Sequence, residues 1–576
     1  MKFRFTRVAF LLIICAPFTN AIVLDREAFT FTNYDLTVQV EPEQHRLAVR
    51  GKITLRNDSQ SAQKIAVLQI SSSLDWRSVK FGEKPLQFVS QPYASDIDHT
   101  GGLSEAIVTL PQPVAPSSSM ELEIAYEGVI LADATRWTRI NMPENTALSA
   151  DWDQIGSNFS GLRGAGYVAW YPIATDVANL SEGNSLTEVM DRWKTRQSGS
   201  KMHLRVSLSA TDSEVPKILF SGMPCTEGAT EQTGTAVHLE ADCACQIFRL
   251  ETPTLVIADY KVVERTAIEV RYLPGHDAAA TYFADEAEKI APFISDWFGK
   301  QRERAKTAEL PDPGDAPFES GALLLTPLPT VNSKLAGLAA AHQLTHAAYF
   351  SFRPWIEEGL AHFAQALYLE HGGARQTALD YIGAHRSAFS EEPDPVALPR
   401  SEDAVKRALV NTPDDALYRS KAMFVWWMLR DMVGEAALKK ALANYRPEDD
   451  KDPSYMPRLI AAQSQRDLAW FFDDWLYHDR GLPDFKVESA FSRKTGTGSF
   501  MVTVSILNLG TAGAEVPVTV KYAGGEIARR LEVRAKTKAA IRVEVPAAPV
   551  EVVVNDGSVP ELKTGNNAFA IRPQEN

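Results

Sequence analysis

The stretch His342-Gln343-Leu344-Thr345-His346, followed by Arg353-Pro354-Trp355-Ile356-Glu357-Glu358-Gly359-Leu360-Ala361, decides how the rest of the chain is read. Histidines spaced i, i+4 share one face of a helix, where two imidazoles can grip one tetrahedral metal ion. The usual zinc pattern is His-Glu-x-x-His, in which the Glu takes a proton from zinc-bound water. Here that position is Gln343. The pair uses up one helical face, so a third ligand must come from another element, and Glu358 is the candidate. Between His346 and Glu358 lies enough chain to end one helix, turn at Phe352 to Pro354, and present a carboxylate from the first turn of the next. A His2Glu set leaves a fourth position open, as catalytic zinc sites do. Two histidines in an Ala-rich helix can also be plain core residues, but the added Trp-x-x-Glu-Gly-Leu-Ala favours the metal. His362 reads as a packed or supporting group behind the ligands. Glu357 follows the helix about 100° round from Glu358 and is expected to face away from the metal.

Outward from this segment the pattern is β on both sides. From Phe29 to about Tyr260 apolar residues alternate with polar ones, as in Leu36, Val38, Val40 and Leu47, Val49, Ile53, Leu55. The aromatic, glycine-rich piece from Trp152 to Pro172 reads as an ordered loop. Near Gly275 the character changes. Ala278 to Gly299 reads as a helix, Gln301 to Pro317 as a charged loop, Phe318 to Leu325 as a short strand, and Leu335 to Tyr349 as the motif helix. Ala404 to Tyr477 is mostly helical. After Gly481-Leu-Pro alternation returns (Val502, Val504, Ile506; Val516, Val518, Val520), which suggests a closing β-sandwich.

The chain has 576 residues, a formal net charge of −14 and a pI near 5.4. Nucleic-acid binding needs clustered cations, and there is no basic stripe. Lys2, Arg4 and Arg7 precede an apolar run from Val8 to Phe18 that ends near Ala21, which reads as an export signal over residues 1–21. That run is too short to span a bilayer comfortably, and no later segment is long enough to be transmembrane. The expected location is therefore extracytoplasmic, periplasmic or secreted. If Cys15 leaves with the signal, Cys225, Cys243 and Cys245 remain, and an oxidising compartment permits one disulfide between Cys225 and either partner.

The metal segment resembles that of the gluzincin zinc metallopeptidases, and the whole chain is similar to the membrane alanyl aminopeptidase family. Tyr34-Asp-Leu-Thr-Val, Glu251-Thr-Pro-Thr-Leu-Val-Ile-Ala-Asp-Tyr, Trp470-Phe-Phe-Asp-Asp-Trp475 and Gly481-Leu-Pro carry the wider likeness. The resemblance implies a multidomain α+β protein. Residues 22–265 would form an N-terminal β domain, 266–485 a thermolysin-like, mainly helical zinc metallopeptidase domain, and 486–576 a C-terminal β-sandwich. It implies Zn2+ on His342, His346 and Glu358, with a peptide or protein as substrate.

Two further roles follow from the resemblance alone. Glu319, in Ala316-Pro-Phe-Glu-Ser, stands where the family's Gly-Ala-Met-Glu-Asn strand holds a substrate's free α-amine. Tyr418, in Tyr418-Arg-Ser-Lys421, stands where a Tyr-x-Lys-Gly pattern supplies the oxyanion donor, with one residue extra here. The gap from His346 to Glu358 is also shorter than is usual in that family. The function implied is an exported metallopeptidase of aminopeptidase type acting on peptide N-termini, impaired by Gln343 because an amide cannot shuttle the proton. The alternatives are a non-catalytic relative that binds peptides through its zinc cleft, and a zinc site that only supports the fold.

Overall fold

The computed structural model describes residues 24–571 apart from 183–184, 211–215, 234–235, 331–332, 389–407, 411, 413, 415 and 497. The expected signal, residues 1–21, lies outside the described residues, as do residues 404–407 at the start of the expected helical stretch. The fold is multidomain α+β. Alternation from Phe29 onward does produce strands: Phe29–Glu41 pairs antiparallel with Arg46–Asn57 and parallel with Lys201–Ala210 inside an eight-stranded sheet. Its inward residues, among them Phe31, Tyr34, Leu36, Val38, Ile53 and Leu55, are fully buried. Cys225 is disulfide-bonded to Cys243, on the strand Ala236–Ile247, and Cys245 is a free, exposed thiol. The pairing left open by the sequence is therefore Cys225–Cys243.

The piece from Trp152 to Pro172 is ordered, and it contains a short buried strand, Phe159–Leu162. Buried ion pairs lie within it and beside it. The guanidinium of Arg136 bonds both oxygens of Asp151 at 2.6 Å, and Arg163 bonds Asp153. Paired, hydrogen-bonded burial is the condition under which such charges are tolerated.

A five-stranded sheet follows, in the order Lys261–Glu264, Ile268–Tyr272, Ala305–Glu309, Leu323–Thr326, Phe318–Ser320. Two of the sequence expectations change here. The segment Gln301 to Pro317 is not all loop, because Ala305–Glu309 is the central strand, parallel to both neighbours. Phe318 to Leu325 is not one strand but a hairpin, turning at Gly321 with φ of 57°.

Against this sheet pack the helices Asp277–Phe298 and Ser333–Ala348, and the helix Pro354–Gly372 packs on the second of these. Pro354 occupies the first turn, where its missing N–H costs nothing. The helix Ala422–Val433 crosses the last of these closely: the Trp355 and Trp426 rings stack at 5.0 Å, and Trp426 Nε1–H donates to the Trp355 carbonyl at 3.1 Å. Two sheets close the chain, with Val502, Val504 and Ile506 of one facing Val516, Val518 and Val520 of the other, all buried. Among the described residues no helix is long and apolar enough to cross a membrane.

Gly359 permits the close crossing, because a Cβ there would lie 2.7 Å from Ala422 Cβ and 3.1 Å from Trp426 Nε1. Gly359→Ala is therefore expected to destabilise the helical region by about 1–3 kcal/mol, the usual cost of overpacking. Calorimetric melting reads this directly, and an unchanged midpoint would mean that the two helices separate at little cost.

Candidate metal centre and cleft

The helix Ser333–Ala348 buries Ala336, Ala340, Ala341, Leu344 and Ala347, which lets it sit deep among its neighbours with His342 and His346 facing inward. Both rings present Nε2 to the same point, and the two nitrogens are 3.1 Å apart. Glu358, in the first turns of the next helix, brings Oε1 to 3.7 Å from His346 Nε2 and Oε2 to 3.9 Å from His342 Nε2. The donor atoms of His342, His346 and Glu358 all lie within 4.8 Å of one another. Tetrahedral zinc with bonds of 2.0–2.1 Å separates its ligands by about 3.3 Å. The observed spacings bracket that value, and Glu358 Oε2 is buried without a hydrogen-bond partner. The residues present therefore fit a zinc ion.

Support for the site comes from behind. Glu357 does turn away from the ligand cluster, but it is not idle. Its Oε1 is 3.1 Å from His346 Nδ1, and its Oε2 accepts the Ser351 N–H at 2.5 Å. A carboxylate on the outer nitrogen fixes the tautomer and leaves Nε2 free for metal. Electrostatics follow the same geometry. Burial acts to lower the His346 pKa, but the Glu357 hydrogen bond and the charges of Glu358, Glu357 and Glu319 lift it to about 9. Burial lowers that of His342. Glu358 is pushed up by burial, yet the Arg419 guanidinium and the surrounding imidazoles hold it well below the usual carboxylate range. His362 is not a satisfied core residue: its ring lies 5.0 Å from that of His342, and neither of its nitrogens has a hydrogen-bond partner.

Gln343 is fully buried. Its Oε1 accepts the Thr307 hydroxyl at 3.3 Å, from the central strand of the five-stranded sheet, while its Nε2 has no partner. Glu319 stands on the edge strand Phe318–Ser320, with Oε2 3.2 Å from His342 Nε2, so hairpin and motif helix do meet at the site. A cavity of about 80 Å³ is lined by Glu319, His346, Glu358, Tyr418 and Arg419. Tyr418 reaches it from a π-helical turn, Ala416–Lys421. A π turn carries one residue more per turn than an α-helix, and this one includes Tyr418, Arg419 and Lys421. Arg419, whose Nε is 3.5 Å from Glu358 Oε2, was missed in the sequence. Its only signal was its place next to Tyr418.

No protein-family model matches the chain, and no curated protein matches it in sequence. Solved structures do match. An M1 zinc metallopeptidase from Deinococcus radiodurans aligns with a TM-score of 0.51 and 17% identity, over 80% of this chain and 96% of that one. Aminopeptidase A from Legionella pneumophila, in complex with aspartic acid, aligns with a TM-score of 0.59 and 15% identity, over 93% of this chain and 60% of that one. At such identities the likeness is one of fold, which the chain shares with these two proteins.

Because the Glu357 carboxylate meets His346 Nδ1, Glu357→Gln is expected to weaken zinc binding about 10- to 100-fold. Chelator competition on the folded variant measures this, and unchanged affinity would strip Glu357 of that role.

Proposed function

We propose that the protein is a divergent member of the membrane alanyl aminopeptidase-like gluzincins, exported, and directed at peptide N-termini, with hydrolysis impaired at Gln343. The observation that carries this reading is the convergence of donor atoms from His342, His346 and Glu358 within 4.8 Å of one another, beside a cavity lined by His346, Glu358, Glu319 and Tyr418. The Cys225–Cys243 disulfide supports an oxidising compartment.

His342, His346 and Glu358 hold zinc, which when bound polarises a peptide carbonyl and acidifies water. Glu319 pairs with the ammonium group of a peptide N-terminus, a charge-assisted bond that favours chain ends over internal positions. The Tyr418 hydroxyl donates to the oxygen that becomes negative as the carbonyl is attacked. Gln343 breaks the sequence of proton transfers. Its amide can orient a water but cannot accept a proton and pass it to the leaving amine, a function typically worth about 100- to 10,000-fold. Glu357 does not replace it, since its two oxygens are engaged by His346 and Ser351.

A second reading is favoured by the same amide: a zinc-bound cleft that holds peptides without cutting them. The two are separated by one substitution. Gln343→Glu in zinc-loaded protein is expected to raise hydrolysis of aminoacyl or peptide reporters by about 100- to 10,000-fold. No gain in a folded, zinc-loaded variant would mean that the site is not arranged for hydrolysis and would rule out a latent hydrolase.

A further inference from the structure

The strand that carries Glu319 has three residues and pairs with the sheet on one side only, through Leu323–Thr326. The sheet therefore fixes only half of its backbone. The rest of the support comes from the N-terminal β region, on both flanks of Glu319. On one flank Trp152 Nε1–H donates to the Ala316 carbonyl at 3.0 Å, and the Ala316 N–H donates to the Ser149 carbonyl at 2.9 Å. Tyr167 meets Phe318 edge to face at 5.2 Å. Between these rings lies Arg163, its guanidinium 4.0 Å from the Trp152 ring, 3.9 Å from that of Tyr167 and 5.6 Å from that of Phe318. On the other flank the Thr252 N–H donates to Ser320 Oγ at 2.8 Å, and that hydroxyl lies 3.2 Å from the Thr252 carbonyl.

Arg163 is only 2% exposed, and its own place is fixed several times over. Asp153 accepts from its Nε at 3.0 Å, from Nη2 at 2.5 Å and from its backbone N–H at 2.6 Å, while Nη2 also reaches the Ala150 carbonyl at 2.8 Å. A planar cation held in this way is a rigid wedge between aromatic faces, which a lysine cannot reproduce.

We propose that Arg163 is a positioning residue for Glu319. The N-terminal β region, acting through Arg163, Tyr167 and Thr252, sets where the amine-selecting carboxylate stands relative to the ligand helix. Preference for a free peptide N-terminus is then decided at this contact between regions, and not by the metal-binding helices alone. The inference rests on the amine-binding reading of Glu319.

The test uses the full-length, zinc-loaded protein and calorimetric binding of trialanine against N-acetyl-trialanine. Wild type is expected to prefer the free amine. Arg163→Lys and Ser320→Ala are expected to reduce that preference about tenfold, through loss of a positioned charge-assisted bond, with zinc stoichiometry and affinity for the acetylated peptide unchanged. A preference retained in both variants overturns the proposal and leaves the Glu319 reading standing. Equal binding of the two peptides by wild type overturns the Glu319 reading itself. Loss of zinc together with both peptides would assign the contact to the whole centre and also overturn the proposal. Should Arg163→Lys fail to fold, Tyr167→Leu decides in its place: it removes the ring between Arg163 and Phe318 and no buried charge, and a retained preference there overturns the proposal.

Discussion

Two imidazoles from one helix and a carboxylate from the next must meet with their donor atoms about 3–4 Å apart, and much of the helical region is arranged to satisfy that constraint. Spacing along the motif helix puts His342 and His346 on one face but fixes neither ring. Glu357 holds the outer nitrogen of His346, and Ser351 holds Glu357 through its backbone N–H. The helix carrying both glutamates is held in turn by the stacking of Trp355 on Trp426 and by the bare Cα of Gly359 against Ala422. Each layer removes a freedom left by the one inside it, which is what a preorganised site requires.

The same logic extends beyond the helices. Glu319 faces His342 from a strand at the edge of its sheet, and an edge strand has no second neighbour to fix it. Here the missing neighbour is replaced by groups from a different part of the chain: the side chains of Trp152, Arg163 and Tyr167 on one flank and the backbone of Thr252 on the other. The segment Trp152 to Pro172 thus has a definite task. Its aromatic rings and buried ion pairs make the surface against which the hairpin is set, and its exclusion of water strengthens the Arg163–Asp153 bond within it.

What could be read in the sequence was whatever is local or periodic. The His-x-x-x-His spacing, the helix start at Pro354, the alternation of Leu36, Val38 and Val40 and the valines of the closing sandwich all report on neighbours along the chain. Glu358 was legible because one turn links the two helices. The strand Ala305–Glu309 was not legible. Its residues, Ala-Lys-Thr-Ala-Glu, have weak β preference and no alternation, and it is a strand because parallel partners flank it on both sides. Glu309 illustrates the difficulty: it is a buried carboxylate that accepts the Leu273 N–H at 2.7 Å and lies 2.6 Å from His276 Nδ1, partners supplied from another strand's end. The Arg163 clamp was hidden for the same reason, since Phe318 is far along the chain from the residues that grip it.

Gln343 gains meaning from its surroundings. Thr307 donates its hydroxyl to the amide oxygen, a bond that a carboxylate of the same shape would accept equally well. The difference lies in the other terminal atom. As nitrogen it is a buried donor with no acceptor, a condition that costs about 1–3 kcal/mol. As oxygen it would be an acceptor, free of the donor that the amide leaves unpaired. The surroundings of residue 343 therefore satisfy the oxygen of the amide and leave its nitrogen unsatisfied. With the amide there, one buried donor goes unpaired, while His342, His346 and Glu358 still bring their donor atoms together and Glu319 and Tyr418 still line the adjoining cavity.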